Sequence, residues 1–360
     1  MALKPQPGIM DVSPYVGGKS KVEGVDRICR LASNENPLGA SDAAKEAYQS
    51  IADDLHRYPD GGSYLLRSGI ADAENLDADR IVCGAGSDEL LGLLIQSYVG
   101  IGDEVVYNEH GFLMYPIGTK IAGGVPVKSA EKDLRIDIDA MLAAVTEKTR
   151  IVFLANPNNP TGSYVTEHEL RRLRSELRGD ILLVIDAAYC EYVDNADYIS
   201  GASLVEENDN VVMTRTFSKI HGLAALRIGW AYCSTEVADV LNRVRGPFNV
   251  SLAAQAAGVA AIQDKAHIER SKELNSRLLN WFRQQVAELK LTTHDSVGNF
   301  VLVNFGGAER AASALEFLKN KGVLVRGMAA YGLAEHIRVS IGTEEEMRVV
   351  IDSLTAFTNE

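Results

Sequence analysis

The chain has 360 residues, 46% of them apolar and 24% charged, which is an ordinary globular composition and a length that implies two domains. Its formal charge, 36 − 49 = −13, argues against a general nucleic-acid or anionic-membrane surface but leaves room for a local basic pocket. No apolar stretch is long enough to span a membrane, and Met1-Ala2-Leu3-Lys4-Pro5-Gln6-Pro7-Gly8 lacks the apolar segment of a signal peptide, so a cytoplasmic location is expected.

Residues 1–30 are rich in Gly and Pro and poor in periodicity, and are expected to form an arm rather than a folded unit. Across 31–246, strands are expected at 80–83, 104–107, 125–128, 150–155, 181–185, 211–215 and 228–233. Helical patterns at 87–99, 137–145 and 166–177 lie between them, and Thr166-Glu167-His168-Glu169 has capping-box form. Such alternation predicts an α/β domain, a mainly parallel seven-stranded sheet between helices. Over 247–360 the pattern changes. A small, apolar stretch at 251–262 precedes a long amphipathic helix at 264–289, then short strands near 300–304, 323–326 and 336–341 and helices at 308–320 and 344–357. That predicts a smaller α+β C-terminal domain. Cys29, Cys83, Cys190 and Cys233 are far apart and are expected to be buried thiols, as suits a reducing cytosol. The histidines show neither HExxH nor Cys-pair spacing, so no metal site is expected.

Three of the predicted strands end in polar groups, where ligands sit in α/β sheets. One runs into Asn156-Pro157-Asn158-Asn159-Pro160-Thr161-Gly162, the second into Asp186-Ala187-Ala188-Tyr189, and the third into Thr216-Phe217-Ser218-Lys219 with Arg227 eight residues on. Alone, each has a bland explanation: a turn at Asn159, an N-cap or ion pair at Asp186, a snorkelling Lys219. Gly84-Ala85-Gly86-Ser87-Asp88-Glu89 follows a strand and opens a helix. Glu89 stands where a dinucleotide fingerprint needs its third glycine, but a phosphate at the helix N-terminus fits, as does a plain tight turn. Gly18-Lys19-Ser20 has the ending of a P-loop; Ser13 occupies the place of its first glycine and no strand precedes it, so that motif is set aside.

Together, Asn159-Pro160-Thr161-Gly162, Asp186-x-x-Tyr189, Ser218-Lys219 and Arg227 resemble the fold-type-I aminotransferases that use pyridoxal 5'-phosphate (PLP), from about residue 31 to the C-terminus. The resemblance implies Lys219 as the amine that condenses with the cofactor aldehyde and as the general base. It implies Asp186 against the ring nitrogen, and Asn159 and Tyr189 at the phenolate oxygen. Thr216, Ser218, Arg227 and the backbone N–H groups of Ser87 and Asp88 would hold the phosphate. Phe112 matches the position of the ring stacked on the cofactor, with a core aromatic as the competing reading. His110 beside it has no assigned role.

The finer resemblance is to the histidinol-phosphate aminotransferase family. It rests on Leu31-Ala32-Ser33-Asn34-Glu35-Asn36-Pro37-Leu38-Gly39, Arg57-Tyr58-Pro59-Asp60, Arg326-Gly327-Met328 and Ile337-Arg338-Val339-Ser340-Ile341-Gly342-Thr343, with Pro14-Tyr15-Val16 at the start of the arm. It implies amino transfer between L-histidinol phosphate and 2-oxoglutarate. Arg338, then Arg326, would contact the substrate anion, with Tyr15 and Asn34 on the substrate side. Tyr58 would reach the cofactor phosphate of a neighbouring subunit, which implies a homodimer with shared sites. Arg326 and Arg338 could instead be surface ion-pair residues, Tyr15 a packing residue, and Tyr58 the residue before a proline turn. An aromatic or broad-specificity aminotransferase and a threonine-phosphate decarboxylase share the cofactor residues. A non-catalytic sensor of the same fold would be expected to lack the lysine or carry a DNA-binding domain. A nicotinamide-dependent oxidoreductase rests on the incomplete glycine motif alone.

Overall fold

The computed structural model describes residues 5, 8–13 and 28–360. In chain order the strands are β1 (Cys29–Arg30), β2 (Ile81–Gly84), β3 (Glu104–Asn108), β4 (Val125–Ser129), β5 (Glu131–Lys132), β6 (Arg135–Ile136) and β7 (Thr149–Ala155). Then come β8 (Leu182–Asp186), β9 (Val211–Thr216), β10 (Gly229–Tyr232), β11 (Thr292–Thr293), β12 (Phe300–Asn304), β13 (Val323–Leu324), β14 (Arg326–Gly327) and β15 (His336–Ser340).

A seven-stranded sheet has the order β2-β10-β9-β8-β7-β3-β4. Every pairing from β9 to β4 is parallel, and β10 is antiparallel to both of its neighbours. The expected mainly parallel sheet is therefore present. Its central strands β7 and β8 are apolar on both faces because helices cover both. Ile151, Phe153, Leu182 and Val184 face the helix Ser87–Tyr98, in one core with Leu90, Leu91 and Leu94. Val152, Leu154, Leu183 and Ile185 face the other way, in a core with Leu170, Leu173, Ala254 and Ala257. The helix Glu167–Glu176 opens on the expected capping box between Thr166 and Glu169.

The second, four-stranded sheet has the order β11-β12-β15-β14 and is antiparallel throughout. The long helix Lys265–Glu288 and the helices Ala308–Asn320 and Glu344–Thr358 pack on one side of it, around Leu278, Phe282, Val301, Val339 and Val350. The strand expected at 323–326 is split. Val323 and Leu324 pair in parallel with Cys29 and Arg30, while Arg326 and Gly327 join β15. Cys29 and Leu31 thereby enter the smaller core, a long-range pairing that local periodicity does not encode. The helix Leu252–Gln263, just after the expected boundary at 246/247, packs against the helices Asp42–Ser50 and Tyr64–Glu74 in the large core. No helix among the described residues is long and apolar enough to cross a membrane.

Candidate active site

Strands β7, β8 and β9 run parallel, so their C-terminal ends open on one side of the sheet. A cavity of about 190 Å³ lies there, lined by Asn159, Asp186, Tyr189, Ser218, Lys219 and Arg227 among others. The three polar strand ends of the sequence thus converge, as the crevice rule for α/β sheets requires.

Asp186 is the last residue of β8 and is 6% exposed. Its Oδ2 accepts a hydrogen bond from the Tyr115 hydroxyl at 2.9 Å. Among the described residues its Oδ1 is buried without a hydrogen-bond partner. Burial raises its pKa to about 6, against the Tyr115 hydrogen bond, which lowers it, and with the negative charge of Asp88, which adds to the rise. A buried carboxylate oxygen left without a partner is costly, and a protonated ring nitrogen from a bound cofactor would satisfy it.

Lys219 follows β9 after a tight loop. Its Nζ donates to the backbone oxygen of Ser33 at 3.1 Å and lies 5.6 Å from the centre of the Tyr189 ring. The Tyr189 hydroxyl accepts a hydrogen bond from Asn34 Nδ2 at 2.9 Å, and burial raises its pKa to about 12. Asn34, at a left-handed φ of 57°, is pinned by Ser340: its N–H donates to Ser340 Oγ at 2.8 Å, and that hydroxyl donates to Asn34 Oδ1 at 2.9 Å.

At the other end of the cavity, Arg227 Nη1 donates to Ser218 Oγ at 3.2 Å, and Nη2 stands 3.6 Å from Asp88 Oδ2. Thr216 Oγ1 donates to Ser218 Oγ at 3.0 Å. Ser87 opens its helix directly after Gly86, whose φ is 88°. A Cβ at Gly86 would come within 2.3 Å of Arg227 Nη2, and one at Gly229 within 2.4 Å of the Ser87 nitrogen. Two glycines therefore keep a guanidinium, two hydroxyls and a helix N-terminus clear around one space, a cradle suited to a phosphate. The residues present suit PLP, with a buried carboxylate that a ring nitrogen could meet and a guanidinium with hydroxyls that a phosphate could meet.

The small sheet contributes Arg338, buried at 6% exposure. It hydrogen-bonds Asn159 Oδ1 through Nη1 and the Ala32 oxygen through Nη2 at 2.9 Å. Arg326 stands directly opposite Arg338 in the β14–β15 pairing, half-buried. Phe112 lines the cavity and meets Tyr115 edge-on at 5.8 Å. Of the remaining sequence candidates, Tyr58 is not at its own chain's cavity: it is 82% exposed and stacks on Phe248 at 4.6 Å. Tyr15 lies outside the described residues. Among those residues no group of His, Cys, Asp and Glu is placed to hold a metal ion.

Sequence reasoning missed Tyr115, Ser340 and Ser33. Tyr115 carried no side-chain pattern of its own, since Phe112 lies before the helix Met114–Ile121 on which Tyr115 sits. Ser340 lies two residues after Arg338 on a strand and so shares its face. Ser33 takes part through its backbone oxygen, which no side-chain pattern reveals.

Residues 26–354 match the family model for class I and II aminotransferases. The chain is 55% identical to a histidinol-phosphate aminotransferase of Paramagnetospirillum magneticum over 99% of each chain. It is 54% identical to one of Rhodospirillum centenum over 97% of each. Among solved structures, the histidinol-phosphate aminotransferase of Sinorhizobium meliloti in complex with pyridoxal-5'-phosphate superposes with a TM-score of 0.88, at 28% identity over 92% of each chain. A mutant aspartate aminotransferase of Thermus thermophilus shares the fold, with a TM-score of 0.82 at 22% identity over 93% of this chain and 92% of the other.

Proposed function

The chain belongs to the class I and II aminotransferase family, and on that premise we propose that it moves an amino group between L-histidinol phosphate and 2-oxoglutarate with PLP as cofactor. The products are 3-(imidazol-4-yl)-2-oxopropyl phosphate and glutamate, a step of histidine biosynthesis. The observation that carries the chemistry is the unpartnered, buried Asp186 Oδ1 in the cavity that Lys219 also lines. The substrate reading draws on full-length relatives at 48–55% identity, which are named histidinol-phosphate aminotransferases.

Lys219, Asp186, Asn159, Tyr189, Thr216, Ser218, Arg227 and the Ser87–Asp88 backbone would hold the cofactor. When bound, PLP supplies an aldehyde for the substrate amine and a protonated ring that draws electrons from the adjoining carbon. Asp186 keeps that ring charged, because an opposite charge at the nitrogen favours its protonated form. Lys219 takes the proton from the carbon bearing the substrate's nitrogen and later returns one to the cofactor side. Tyr189 and Asn159 donate to the phenolate oxygen, with Asn34 and Arg338 fixing their orientation. Arg338 and Arg326 receive the substrate phosphate or the glutamate carboxylate, and Tyr15 would supply a hydroxyl to the substrate. Thr216 and Ser218 offer hydroxyls to the cofactor phosphate.

We also place two copies of the chain in the working enzyme. Tyr58 is 82% exposed and stacks on the 46% exposed Phe248, and Tyr64 and Leu65 a few residues on are 67% and 72% exposed, apolar surface suited to a second subunit. Tyr58 would then serve the neighbour's cofactor phosphate. The four cysteines form no disulfide, in keeping with a cytoplasmic enzyme. Division into an arm (1–30), a large PLP-binding domain (31–246) and a small domain (247–360) would put the substrate arginines on the smaller unit.

A coupled assay decides the substrate, run with histidinol phosphate, phenylalanine and threonine phosphate at equal concentration. Glutamate formation should be fastest with histidinol phosphate. Faster turnover of phenylalanine, or CO₂ release from threonine phosphate without a 2-oxoacid, would overturn the proposal.

A further inference from the structure

Below the cavity floor lies a buried charge cluster that the chemistry described so far does not use. Glu191 sits two residues after Tyr189, and its Oε1 accepts from Arg215 Nη2 at 2.7 Å. The same oxygen lies 3.6 Å from Nε2 of His221, two residues after Lys219. All three side chains are nearly sealed from solvent, at 8%, 7% and 3% exposure. Arg215 also hydrogen-bonds Glu74, and its guanidinium lies 5.2 Å from the centre of the Trp230 ring. It is anchored in the interior of β9, between rigid neighbours.

These contacts join two loops that carry opposite walls of the cavity. The Tyr189 loop leaves β8 and turns into the short helix Cys190–Tyr192. The Lys219 loop is closed by the Leu223 N–H on the Phe217 oxygen and the Gly222 N–H on the Lys219 oxygen, both at 2.9 Å. The described contacts between the loops include the Glu191–His221 pair, the Lys219–Tyr189 pair and the packing of Ile220 with Tyr189 and Tyr192.

We propose that Glu191, held by Arg215 and His221, is a positioning residue that sets the Lys219 amine against the Tyr189 hydroxyl. Neither Glu191 nor His221 touches the cavity. A carboxylate shared by an arginine on β9 and a histidine on the lysine loop acts as a strut of set length. Without it, the lysine loop would keep the apolar packing of Ile220 with Tyr189 and Tyr192 but lose its buried charged link to the tyrosine loop.

The inference rests on the PLP reading, so the test begins with the wild-type holoenzyme. A visible absorbance band that shifts with pH reports the state of the Lys219 nitrogen. If that band is missing, the PLP reading fails first. Given the band, Glu191→Gln should lower its titration midpoint by about 0.5 unit or more, because Arg215 then leaves extra positive charge near the lysine. It should also lower kcat on the order of tenfold with little change in KM, the mark of an interaction used in the reacting state. His221→Gln keeps the Glu191–Arg215 pair and should move both readouts in the same direction by less. Melting of the cofactor-free proteins reports folding separately. A folded Glu191→Gln with wild-type midpoint and kcat overturns the inference. If that variant does not fold, a wild-type titration in His221→Gln overturns it equally.

Discussion

Arg326 and Arg338 face each other across one antiparallel strand pair, so the two guanidinium stems rise from the same face of the small sheet. Like charges at such positions are unfavourable unless an anion joins them. Arg338 also reaches Asn159 and the Ala32 backbone, linking the substrate end to the cofactor end. Arg338→Gln should lower kcat/KM for histidinol phosphate and for glutamate alike, by about 10²-fold or more. Arg338→Lys should restore little, since an ammonium cannot make the paired bonds. Arg326→Ala should act mainly on KM. Steady-state kinetics with both amino donors check this.

Asp186 is held in a state that costs the empty protein stability. Its folded pKa of about 6 lies above the ordinary aspartate value of 3.8. The stability it contributes is therefore fully present below 3.8 and is lost as the pH rises through about 6. Asp186→Asn should stabilise the cofactor-free protein at pH 7, by up to roughly 3 kcal/mol for a shift of this size. The gain should vanish towards pH 4, as thermal melts across that range would show. The same variant should bind PLP more weakly and lose most turnover.

Among the described residues, Tyr115 is the one side chain hydrogen-bonded to the Asp186 carboxylate. Tyr115→Phe should raise the Asp186 pKa further, since the lost hydrogen bond favoured the charged form. Stability should fall by about 1 kcal/mol. The pH profile of kcat should move upward on its acidic limb, which pre-steady-state rates between pH 5 and 8 would resolve.

Gly86 carries a positive φ and leaves room for Arg227. Gly86→Ala would strain the backbone and push the guanidinium aside. PLP affinity should fall by about tenfold or more, the weight of a charge-assisted contact. Fluorescence titration of the cofactor-free protein measures it.

Much of this was legible in the chain. The runs before Asn159, Asp186 and Lys219 are apolar on both faces, as fully covered parallel strands must be, and so their polar ends stood out. The Thr166 capping box is a purely local device and appears as expected. What stayed hidden depends on distant partners. The pairing of Cys29 with Val323 joins residues from opposite ends of the sequence and splits a stretch that looked like one strand. Tyr115 became meaningful only when its hydroxyl met the Asp186 carboxylate. The Ser33 contact is a backbone oxygen, invisible to any side-chain pattern. Tyr58 points away from its own chain's cavity, so a single chain shows its exposure but not its use.

The most direct measurement is borohydride reduction of the PLP-loaded protein, followed by proteolysis and mass spectrometry. A stable pyridoxyl group should appear on the peptide carrying Lys219, with the visible absorbance gone, and Lys219→Ala should take up no label there. Label fixed on another lysine, or none at all on a protein that still transaminates, would contradict the assignment of this cavity.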